Sequence, residues 1–477
     1  MNYRMIRNIL GWLLIFECGF MLVPAVTAIV FGEAAGWHFL ATMALCGGIG
    51  TLCVWKKPKD SVLYARDGFV IVSLSWIVLS LFGAIPFFTS GVIPHFVDAL
   101  FESVSGFTTT GASILSDVEA LPKCMLMWRS FTHWVGGMGV LVFIMAFVPL
   151  SGGQNMHIMK AESPGPSVSK LVPRVRTTAL ILYSIYLALT FLEFILLLCG
   201  GVNAFEALAT AFGTAGTGGF GLYSDSMASY SPYVQIVVTV FMLLFSVNFS
   251  CYYLILLRRF KEVFNAELRC FLILVVGGIL VITANVYSLF ASLGEALRHV
   301  SFSVASVISS TGFATTDWNT WPELSRTLMV LLSFVGACAG STGGGLKVSR
   351  IMIFVRGAFN EIGNLVHPRR IKRVSIDGHT VDREVVRSTN VYMIWYLLIF
   401  AVSVVLLSFD NHDLVTNFTA VGATINNTGP GLNLVGPAGG FGFFSVFSKL
   451  VLVFDMLAGR LELFPMLVLF APATWKK

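Results

Sequence analysis

Long apolar segments alternate with short polar ones along the whole chain. Each apolar segment is long enough to cross a bilayer as a helix, which takes about 20 residues. These segments lie at residues 6–31, 36–55, 68–88, 125–149, 177–200, 232–257, 269–292, 327–355, 388–408 and 446–471. The first is too long for a cleaved signal peptide. The pattern therefore predicts an all-α polytopic membrane protein with ten transmembrane helices.

Four shorter segments are too polar to span a bilayer and too apolar for ordinary loops, and they lie at residues 95–113, 203–219, 294–312 and 411–429. Each falls between two of the last eight spans and is predicted to enter the membrane as a re-entrant half-helix with an extended return. Non-helical backbone is tolerated at membrane depth only where protein encloses it or where it lines a water-filled path. A polar surface loop is the alternative for any single copy, but the shared setting favours a pore lining.

Each re-entrant segment ends in a turn that contains a Thr-Gly pair: Thr110 and Gly111, Thr217 and Gly218, Thr311 and Gly312, Thr428 and Gly429. The glycines are about 100 residues apart, as expected of an internal repeat. Residues 1–60 then form a two-helix extension, and pore repeats follow at 61–160, 161–262, 263–375 and 376–477. We expect four membrane-pore-membrane repeats around a central ion path.

Composition and charge agree with a membrane protein and suggest its orientation. The 477 residues are 56% hydrophobic and 12% charged, with a mean hydropathy of +0.81. The 31 Lys and Arg residues fall on one side of the predicted spans, except for Lys123, Arg129, Arg298, Arg326 and Lys449 outside and Arg460 within the last span. Basic residues favour the cytoplasmic side, so both termini are predicted there, and the re-entrant segments enter from outside.

Acidic residues flank the re-entrant segments on the predicted external side. They are Asp98, Glu102, Asp117, Glu119, Glu206, Asp225, Glu295, Asp317, Glu323, Asp410 and Asp413. Such residues could form a negative vestibule that concentrates cations at a pore mouth, or they could be solvated loop charges. Glu102, Glu206 and Asp413 could instead stabilise the N-terminal ends of the half-helices.

The four turns are suited to binding a dehydrated cation. Rings of backbone carbonyls can replace the water that an ion loses, glycine can aim its carbonyl where other residues would be strained, and each half-helix directs its negative C-terminal end inward. Potassium is the ion predicted to bind there. No organic cofactor is predicted. The predicted filter residues are Thr109, Thr110, Gly111, Gly216, Thr217, Gly218, Ser310, Thr311, Gly312, Asn427, Thr428 and Gly429.

A glycine-rich run interrupts the eighth span. It comprises Gly336, Ala337, Cys338, Ala339, Gly340, Ser341, Thr342, Gly343, Gly344 and Gly345. Each glycine costs roughly 1 kcal/mol inside a helix, so a break is expected, and the spacing does not match a phosphate-binding loop because Leu346 separates Gly345 from Lys347. The run is predicted to be a flexible plug beneath the turns; a packing seam of small residues is the alternative.

Arg460 is predicted in the middle of the last span, where an arginine is costly and faces a cavity or a partner. Below the turns it would form a positive barrier to cations and could bond the glycine-rich plug. A structural ion pair is the alternative, and Glu462 and Asp455 are the nearest acids in sequence.

Other chemistry finds little support in the sequence. The eight cysteines form no C-x-x-C pair and the eight histidines no H-E-x-x-H cluster, so neither a zinc site nor an enzyme is predicted. No nucleic-acid partner is expected either. The basic cluster from His367 to Arg373 is a topology signal or a docking surface for a cytosolic partner or anionic lipid.

Several longer motifs carry a family resemblance: S-G-F-T-T-T-G-A-S from Ser105, H-W-V-G-G-M-G from His133, A-E-S-P-G-P-S-V-S-K-L-V-P-R-V-R from Ala161, G-T-A-G-T-G-G-F from Gly213, A-G-S-T-G-G-G-L-K-V-S-R from Ala339, N-N-T-G-P-G from Asn426 and G-R-L-E from Gly459. Over essentially its whole length the chain resembles the Trk/Ktr/HKT superfamily of potassium transporters, especially the bacterial Trk membrane subunits.

The resemblance implies four membrane-pore-membrane repeats in a bacterial inner membrane, a homodimer, and a cytosolic ring of regulatory subunits that bind a nucleotide, NAD or ATP. It also implies a gate made by residues 336–345 and Arg460. Glycine at the filter position of every repeat, as at Gly111, is typical of potassium-preferring members. The chain lacks a T-V-G-Y-G filter and reads F-S-V-N-F-S around Asn248, where family members are expected to have glycines. A sodium-coupled or weakly selective monovalent cation transporter is the alternative function, and a carrier of organic solutes is a more distant one.

Overall fold

The computed structural model describes residues 1–56, 64–139, 175–367 and 373–475. These residues are mostly helical, as the sequence predicts. Three predicted features lie partly or wholly outside them: the end of the fourth span, the motif that begins at Ala161, and most of the basic cluster from His367 to Arg373. A two-residue strand, β1 (Ser375–Ile376), pairs antiparallel with β2 (His379–Thr380) through an Asp-Gly turn. Both turn residues have positive φ, the geometry that such tight hairpins favour.

The helices of the described residues, in chain order, are α1 (Tyr3–Phe20), α2 (Leu22–Phe31), α3 (Gly36–Val54), α4 (Ala65–Thr89), α5 (Phe96–Phe107), α6 (Lys123–Gly137), α7 (Val175–Cys199), α8 (Ala204–Ala215), α9 (Pro232–Ser246), α10 (Phe249–Leu256), α11 (Phe260–Val263), α12 (Ala266–Val286), α13 (Leu293–Ile308), α14 (Glu323–Val335), α15 (Val348–Val366), α16 (Arg383–Leu407), α17 (Leu414–Ile425), α18 (Val446–Arg460), α19 (Phe464–Phe470) and α20 (Pro472–Trp475). Short 3-10 turns lie at Tyr287–Leu289, Trp318–Thr320, Ser408–Asp410 and Asn433–Val435.

Six helical segments of the described chain are long and apolar enough to cross a membrane, namely Tyr3–Phe31, Gly36–Val54, Arg66–Thr89, Thr177–Cys199, Ala266–Leu289 and Arg383–Asp410. Large apolar side chains such as Ile273 and Leu280 are exposed along them, as lipid-facing residues would be. The chain is thus a multi-pass membrane protein.

Three predicted spans are not continuous helices. Residues 232–257 form α9 and α10, which meet at an angle of 91°, because Asn248 caps α10 by accepting a hydrogen bond from the Ser250 amide (2.9 Å). Residues 327–355 are divided between α14 and α15, so the predicted break at the glycine-rich run is confirmed. The last span is divided too, and Arg460 ends α18 instead of lying at mid-span.

The four predicted half-helices are present as α5, α8, α13 and α17. Three of them begin at a side-chain cap: Asn203 for α8, Ser292 for α13 and Asp413 for α17. Such caps satisfy backbone amides that have no partner within the helix. The predicted positions of Glu206 and Asp413 at helix N-termini are confirmed, but the prediction for Glu102 is wrong, because Glu102 lies in the middle of α5.

The first half-helix is packed among aromatic rings. Phe107, at the end of α5, contacts Trp128 edge-on with ring centroids 5.8 Å apart. Trp128 in turn donates a hydrogen bond from Nε1 to the carbonyl of Gly83 in α4 (3.0 Å). A Cβ on Gly83 would come within 3 Å of Ser103 and press on the Phe107 ring. The close approach of α4 and α5 therefore depends on glycine and fixes where the first turn lies.

Asp413 gives a test of the caps. The Thr416 hydroxyl, the Thr416 amide (3.0 Å to Oδ1) and the Asn433 side chain (2.9 Å to Oδ1) donate to its carboxylate, and these bonds hold the pKa of Asp413 below its usual range. We expect Asp413→Ala to cost about 1 kcal/mol at neutral pH, whereas Asp413→Asn should keep most of the cap.

The pH dependence of this cap has a definite sign. Because the folded-state pKa is lowered, the carboxylate contributes stability above the ordinary Asp pKa of about 3.9, and that contribution is lost as the pH falls through the folded value. The Asn variant should lack this loss. Thermal unfolding in detergent from about pH 3 to pH 7 compares them, and equal acid sensitivity of the two proteins would contradict the assignment.

Candidate functional site

The four turns share one backbone conformation. Immediately after the cap residue of each half-helix stands a residue in the left-handed region, and two positions later stands a glycine with positive φ. The left-handed residues are Thr109 (54°), Thr217 (53°), Ser310 (58°) and Asn427 (51°), and the glycines are Gly111 (77°), Gly219 (77°), Gly312 (87°) and Gly429 (92°). The same two conformations at the same spacing make the four turns structurally equivalent.

This equivalence corrects the predicted register of the second turn. Gly216, Thr217 and Gly218 are predicted as counterparts of Thr109, Thr110 and Gly111, but Gly216 is the cap of α8 and is equivalent to Thr108. The matching triplet is therefore Thr217, Gly218 and Gly219. The sequence reads G-T-G-G here, so two adjacent glycines compete for one position, and the Thr-Gly pattern selects the wrong one.

The turns contact one another in cyclic order. A Cβ on Gly111 would overlap the carbonyl oxygen of Gly218 in the second turn, and one on Gly219 would overlap that of Thr311 in the third. A Cβ on Gly312 would meet the Thr428 carbonyl oxygen of the fourth turn, and one on Gly429 would meet the Thr110 carbonyl oxygen of the first. The contacts thus form a closed ring in which each glycine faces a neighbouring carbonyl.

A cavity of about 570 Å³ opens onto this ring. Its lining includes all four positive-φ glycines together with the return segments of the first, second and fourth turns. Three of the predicted vestibule acids, Glu119, Glu206 and Asp225, line a separate cavity of about 470 Å³. The cavity that opens onto the ring is therefore lined largely by backbone and small side chains.

A buried ion pair braces the first two turns. Arg129 Nε donates to Glu102 Oε1 over 2.8 Å, and both side chains are almost inaccessible. Glu102 also accepts from the Ile114 amide (3.1 Å), and Arg129 donates to the Gly221 carbonyl (3.2 Å). The sequence predicts both residues as charges on the external side, and the structure buries them as an ion pair. The pair links the return segments of neighbouring hairpins, and a buried charge without its partner would be strongly destabilising.

His133 makes a second link between these turns. Its Nε2 accepts a hydrogen bond from the Phe220 amide (3.2 Å), so Nδ1 carries the proton and donates to the Gly106 carbonyl (2.7 Å). Gly218 packs against the ring, where any Cβ would overlap it. His133 is thus a neutral structural residue that fixes the spacing between α5 and the second turn.

The glycine-rich run, residues 336–345, lies directly beneath the third and fourth turns. The Gly345 amide donates to the Asn426 carbonyl (2.9 Å), and the Gly344 amide donates to the Ser310 hydroxyl. A Cβ on Gly343 or Gly344 would press against the Ser309 or Asn426 carbonyl. Close contact between this loop and the turns therefore requires glycine, and this requirement explains why the run contains so many glycines.

The break between α9 and α10 receives the other side of the loop. The amides of Cys338 and Thr342 donate to the carbonyls of Ser246 (3.1 Å) and Phe245 (3.3 Å), and the Phe249 amide donates to the Gly340 carbonyl (3.0 Å). These are backbone groups that a continuous helix would have used internally. The sequence does not reveal this contact, although an asparagine within an apolar span is a signal for it.

Arg460 lies below the ring and contacts the loop. It donates from Nη1 to the Thr342 carbonyl (2.9 Å) and from Nη2 to the carbonyls of Gly136 (2.5 Å) and Gly137 (2.7 Å) at the end of α6. Its position at the C-terminal end of α18 suits a cation. The predicted partner Asp455 instead accepts from Ser403 (2.8 Å), and Glu462 forms an ion pair with Arg350.

A buried cation lies close to Arg460. Lys347, predicted as a cytoplasmic charge, is 2% exposed and donates to the Gly343 carbonyl. With Arg460, Glu462 and the loop it lines a cavity of about 100 Å³. In the described residues, no group of three or more His, Cys, Asp or Glu side chains could hold a metal ion.

In a multi-pass membrane protein, four short helices that end in a ring of matching turns, with cations beneath that ring, indicate a membrane transport protein. A family model described as a cation transport protein, TrkH, matches residues 35–477. The Trk system potassium uptake protein TrkH of Escherichia coli K12 is 34% identical over 488 residues, with 100% of both chains covered. The corresponding protein of Halomonas elongata is 35% identical, again over 100% of both chains.

The fold agrees with these relatives. The crystal structure of the potassium transporter TrkH from Vibrio parahaemolyticus matches this chain with a TM-score of 0.90 and 33% identity, covering 100% of both chains. The protein therefore belongs to the TrkH family of cation transport proteins, as the resemblance of its motifs predicts.

The register of the second turn can be tested at Gly219. A residue with a Cβ would pay roughly 1–2 kcal/mol for the left-handed conformation alone, and its Cβ would also overlap the Thr311 carbonyl. We expect Gly219→Ala to lower the unfolding temperature in detergent clearly. Gly294→Ala is the matched control, since Gly294 lies in α13 with nothing near its Cβ position. Equal behaviour of the two variants would refute the revised register.

Proposed function

We propose that this protein carries potassium ions into the bacterial cell through a filter made by backbone carbonyls of the four turns. The observation that carries the proposal is the closed ring of glycine-to-carbonyl contacts, onto which a cavity opens. Relatives that are named potassium uptake proteins align with the whole length of this chain.

A carbonyl ring suits a potassium ion for a physical reason. The ion gives up hydration water in the filter, and carbonyl oxygens replace that water without placing a full charge in the membrane. Thr110, Gly218, Thr311 and Thr428 are the residues whose carbonyls contact the neighbouring turn. Each half-helix adds the partially negative end of its dipole. Inward flow would follow the membrane potential, which supplies about 2.3 kcal/mol per charge for each 100 mV.

The loop at residues 336–345 and Arg460 form the proposed gate. The loop lies against Ser310 and Asn426 under the ring, and Arg460 bonds the Thr342 carbonyl. An ion leaving the filter would meet these groups and the buried ammonium of Lys347. Opening would require the loop and Arg460 to move aside together.

The larger assembly is also proposed. We infer ten membrane crossings, with four repeats at 61–160, 161–262, 263–375 and 376–477, both termini in the cytoplasm, and a homodimer in the inner membrane. The uneven distribution of Lys and Arg supports the orientation. The basic segment around Arg373 would then face the cytosol, where a nucleotide-binding regulatory subunit could dock.

Flux measurements test the transport function. Purified protein in liposomes should take up Rb⁺ far faster than Na⁺ when an inside-negative potential is imposed. Equal rates for the two ions would favour a weakly selective cation pathway, and a requirement for Na⁺ would favour a sodium-coupled transporter. Absence of any flux in monodisperse protein, with and without a potential, would contradict the proposal.

The filter is tested at Gly111. Gly111→Ser adds a Cβ and a hydroxyl beside the Gly218 carbonyl, so the ring should widen or distort. The ratio of Rb⁺ to Na⁺ flux should fall at least severalfold, while Gly294→Ala should leave it unchanged. Unaltered selectivity in a well-folded Gly111→Ser protein would show that this ring does not select the ion.

The gate is tested at Arg460 and in the loop. Arg460→Ala removes a positive charge and three hydrogen bonds to backbone carbonyls, and deleting residues 337–342 removes the plug. Both changes should raise basal Rb⁺ flux severalfold. Reduced flux in protein that inserts normally would contradict the gate.

A further inference from the structure

A buried ion pair connects the two parts of the proposed gate from below. Arg350, the third residue of α15, donates to Glu462, and their side chains are 7% and 16% exposed. The guanidinium also lies over the Tyr392 ring of α16, 4.1 Å from its centroid. A cation in the first turn of a helix is opposed by the helix dipole. Glu462 therefore offsets a charge that is unfavourably placed on its own helix.

The backbone around Glu462 is strained. Glu462 and Leu463 both have positive φ, 58° and 61°, and the ψ of Leu463 is −52°. The Phe464 amide donates to the Glu462 carbonyl over 2.7 Å, which closes a γ-turn of the rare, strained hand. Such backbone persists only when its surroundings hold it.

Side chains contact this turn on two sides. On one side Arg350 binds the Glu462 carboxylate. On the other, the ring of Phe464 packs edge-on against Tyr392, with centroids 6.0 Å apart. Tyr392 thus touches both Arg350 and Phe464. Strained backbone kept by a few side-chain contacts is characteristic of switch regions.

The sequence positions of the pair connect it with the gate. Glu462 follows Arg460 by two residues, so the strained turn directly follows the end of the helix that carries Arg460. Arg350 lies five residues after Gly345, the last glycine of the loop. The pair therefore joins the segment that carries Arg460 to the segment that carries the plug.

The helix α15 is well placed to pull on this link. Its buried residues are Val348, Arg350 and Ile353, all within its first two turns. Farther along, Phe359 and Leu365 are 69% and 81% exposed. A helix whose buried residues all lie at one end can transmit a displacement to that end.

We propose that Arg350 and Glu462 are positioning residues that latch the closed gate: displacement of α15 toward the cytoplasm separates them, the strained turn relaxes, and Arg460 and the loop withdraw together. The proposal rests on the gate proposed above. It explains how movement of one cytoplasmic helix would release both barriers.

The test compares basal Rb⁺ flux in liposomes among variants of the pair. Arg350→Met and Glu462→Gln should each raise the flux severalfold without changing the ratio of Rb⁺ to Na⁺ flux, since the ring is untouched. The exchanged pair, Arg350→Glu with Glu462→Arg, should return the flux toward the wild-type value. Arg259→Met is the matched control, because it removes an exposed cytoplasmic ion pair with Glu262 and should leave the flux unchanged.

Leu463→Gly keeps both residues of the ion pair but relieves the strain at position 463, because glycine adopts positive φ freely. It should lower the flux of the Glu462→Gln protein, since less energy would then drive Arg460 away. This variant keeps the test decisive if Arg350→Met fails to fold, as judged by a monodisperse elution profile.

Arg460→Ala in the same experiment separates the latch from the gate. High flux in Arg460→Ala with wild-type flux in folded Arg350→Met and Glu462→Gln overturns the latch and leaves the gate standing. Wild-type flux in all three overturns both. A change in ion selectivity of the pair variants would also overturn the latch, because it would place the pair's effect at the filter.

Discussion

The close approach of glycine to carbonyl is the constraint on which the rest of the structure depends. At each of the four turns, positive φ places a glycine where the next turn's carbonyl oxygen leaves no space for a Cβ. The surrounding helices position these contacts. The caps at Asn203, Ser292 and Asp413 set where three of the half-helices begin, and the ion pair of Glu102 and Arg129 sets how the first two return segments lie.

Below the ring, the loop at residues 336–345 also contacts its surroundings mainly through backbone groups. Such a contact can be both specific and reversible. The loop is held by backbone amides and carbonyls, including those of Phe245 and Ser246 at the break between α9 and α10. Each such bond contributes only about 1 kcal/mol net, and the glycines add no side chains to lock it. The cations Lys347 and Arg460 donate to carbonyls of the loop, and in the proposed gate their charges would also oppose a passing cation. A few long side chains therefore hold a loop that is otherwise bound mostly through its backbone.

Much of this could be predicted from sequence, because hydropathy and glycine content report directly on helix length and helix breaks. The half-helices and the break at Gly336 follow from such patterns. The register at Gly219 could not be predicted, because the sequence does not distinguish two adjacent glycines. Only the contact with the Thr311 carbonyl shows which glycine occupies the equivalent position. The breaks at Asn248 and after Arg460 could not be predicted from hydropathy either, because a broken span remains as apolar as a straight one. The pairing of Glu102 with Arg129 escapes for another reason: the distribution of charges gives topology, not contacts between distant residues.

The four turns are equivalent in backbone but not in what their side chains touch, and this difference couples the proposed filter to the proposed gate on one side only. Ser310 accepts from the loop amide of Gly344, and Asn427 donates to the Thr110 hydroxyl and to the Met456 carbonyl (both 2.9 Å). Met456 lies in α18, one turn before Arg460. A shift of α18 or of the loop would thus alter hydrogen bonds at the third and fourth turns first. The first two turns are held by Arg129 and would follow through the ring of carbonyl contacts and through the bond from Asn427 to Thr110.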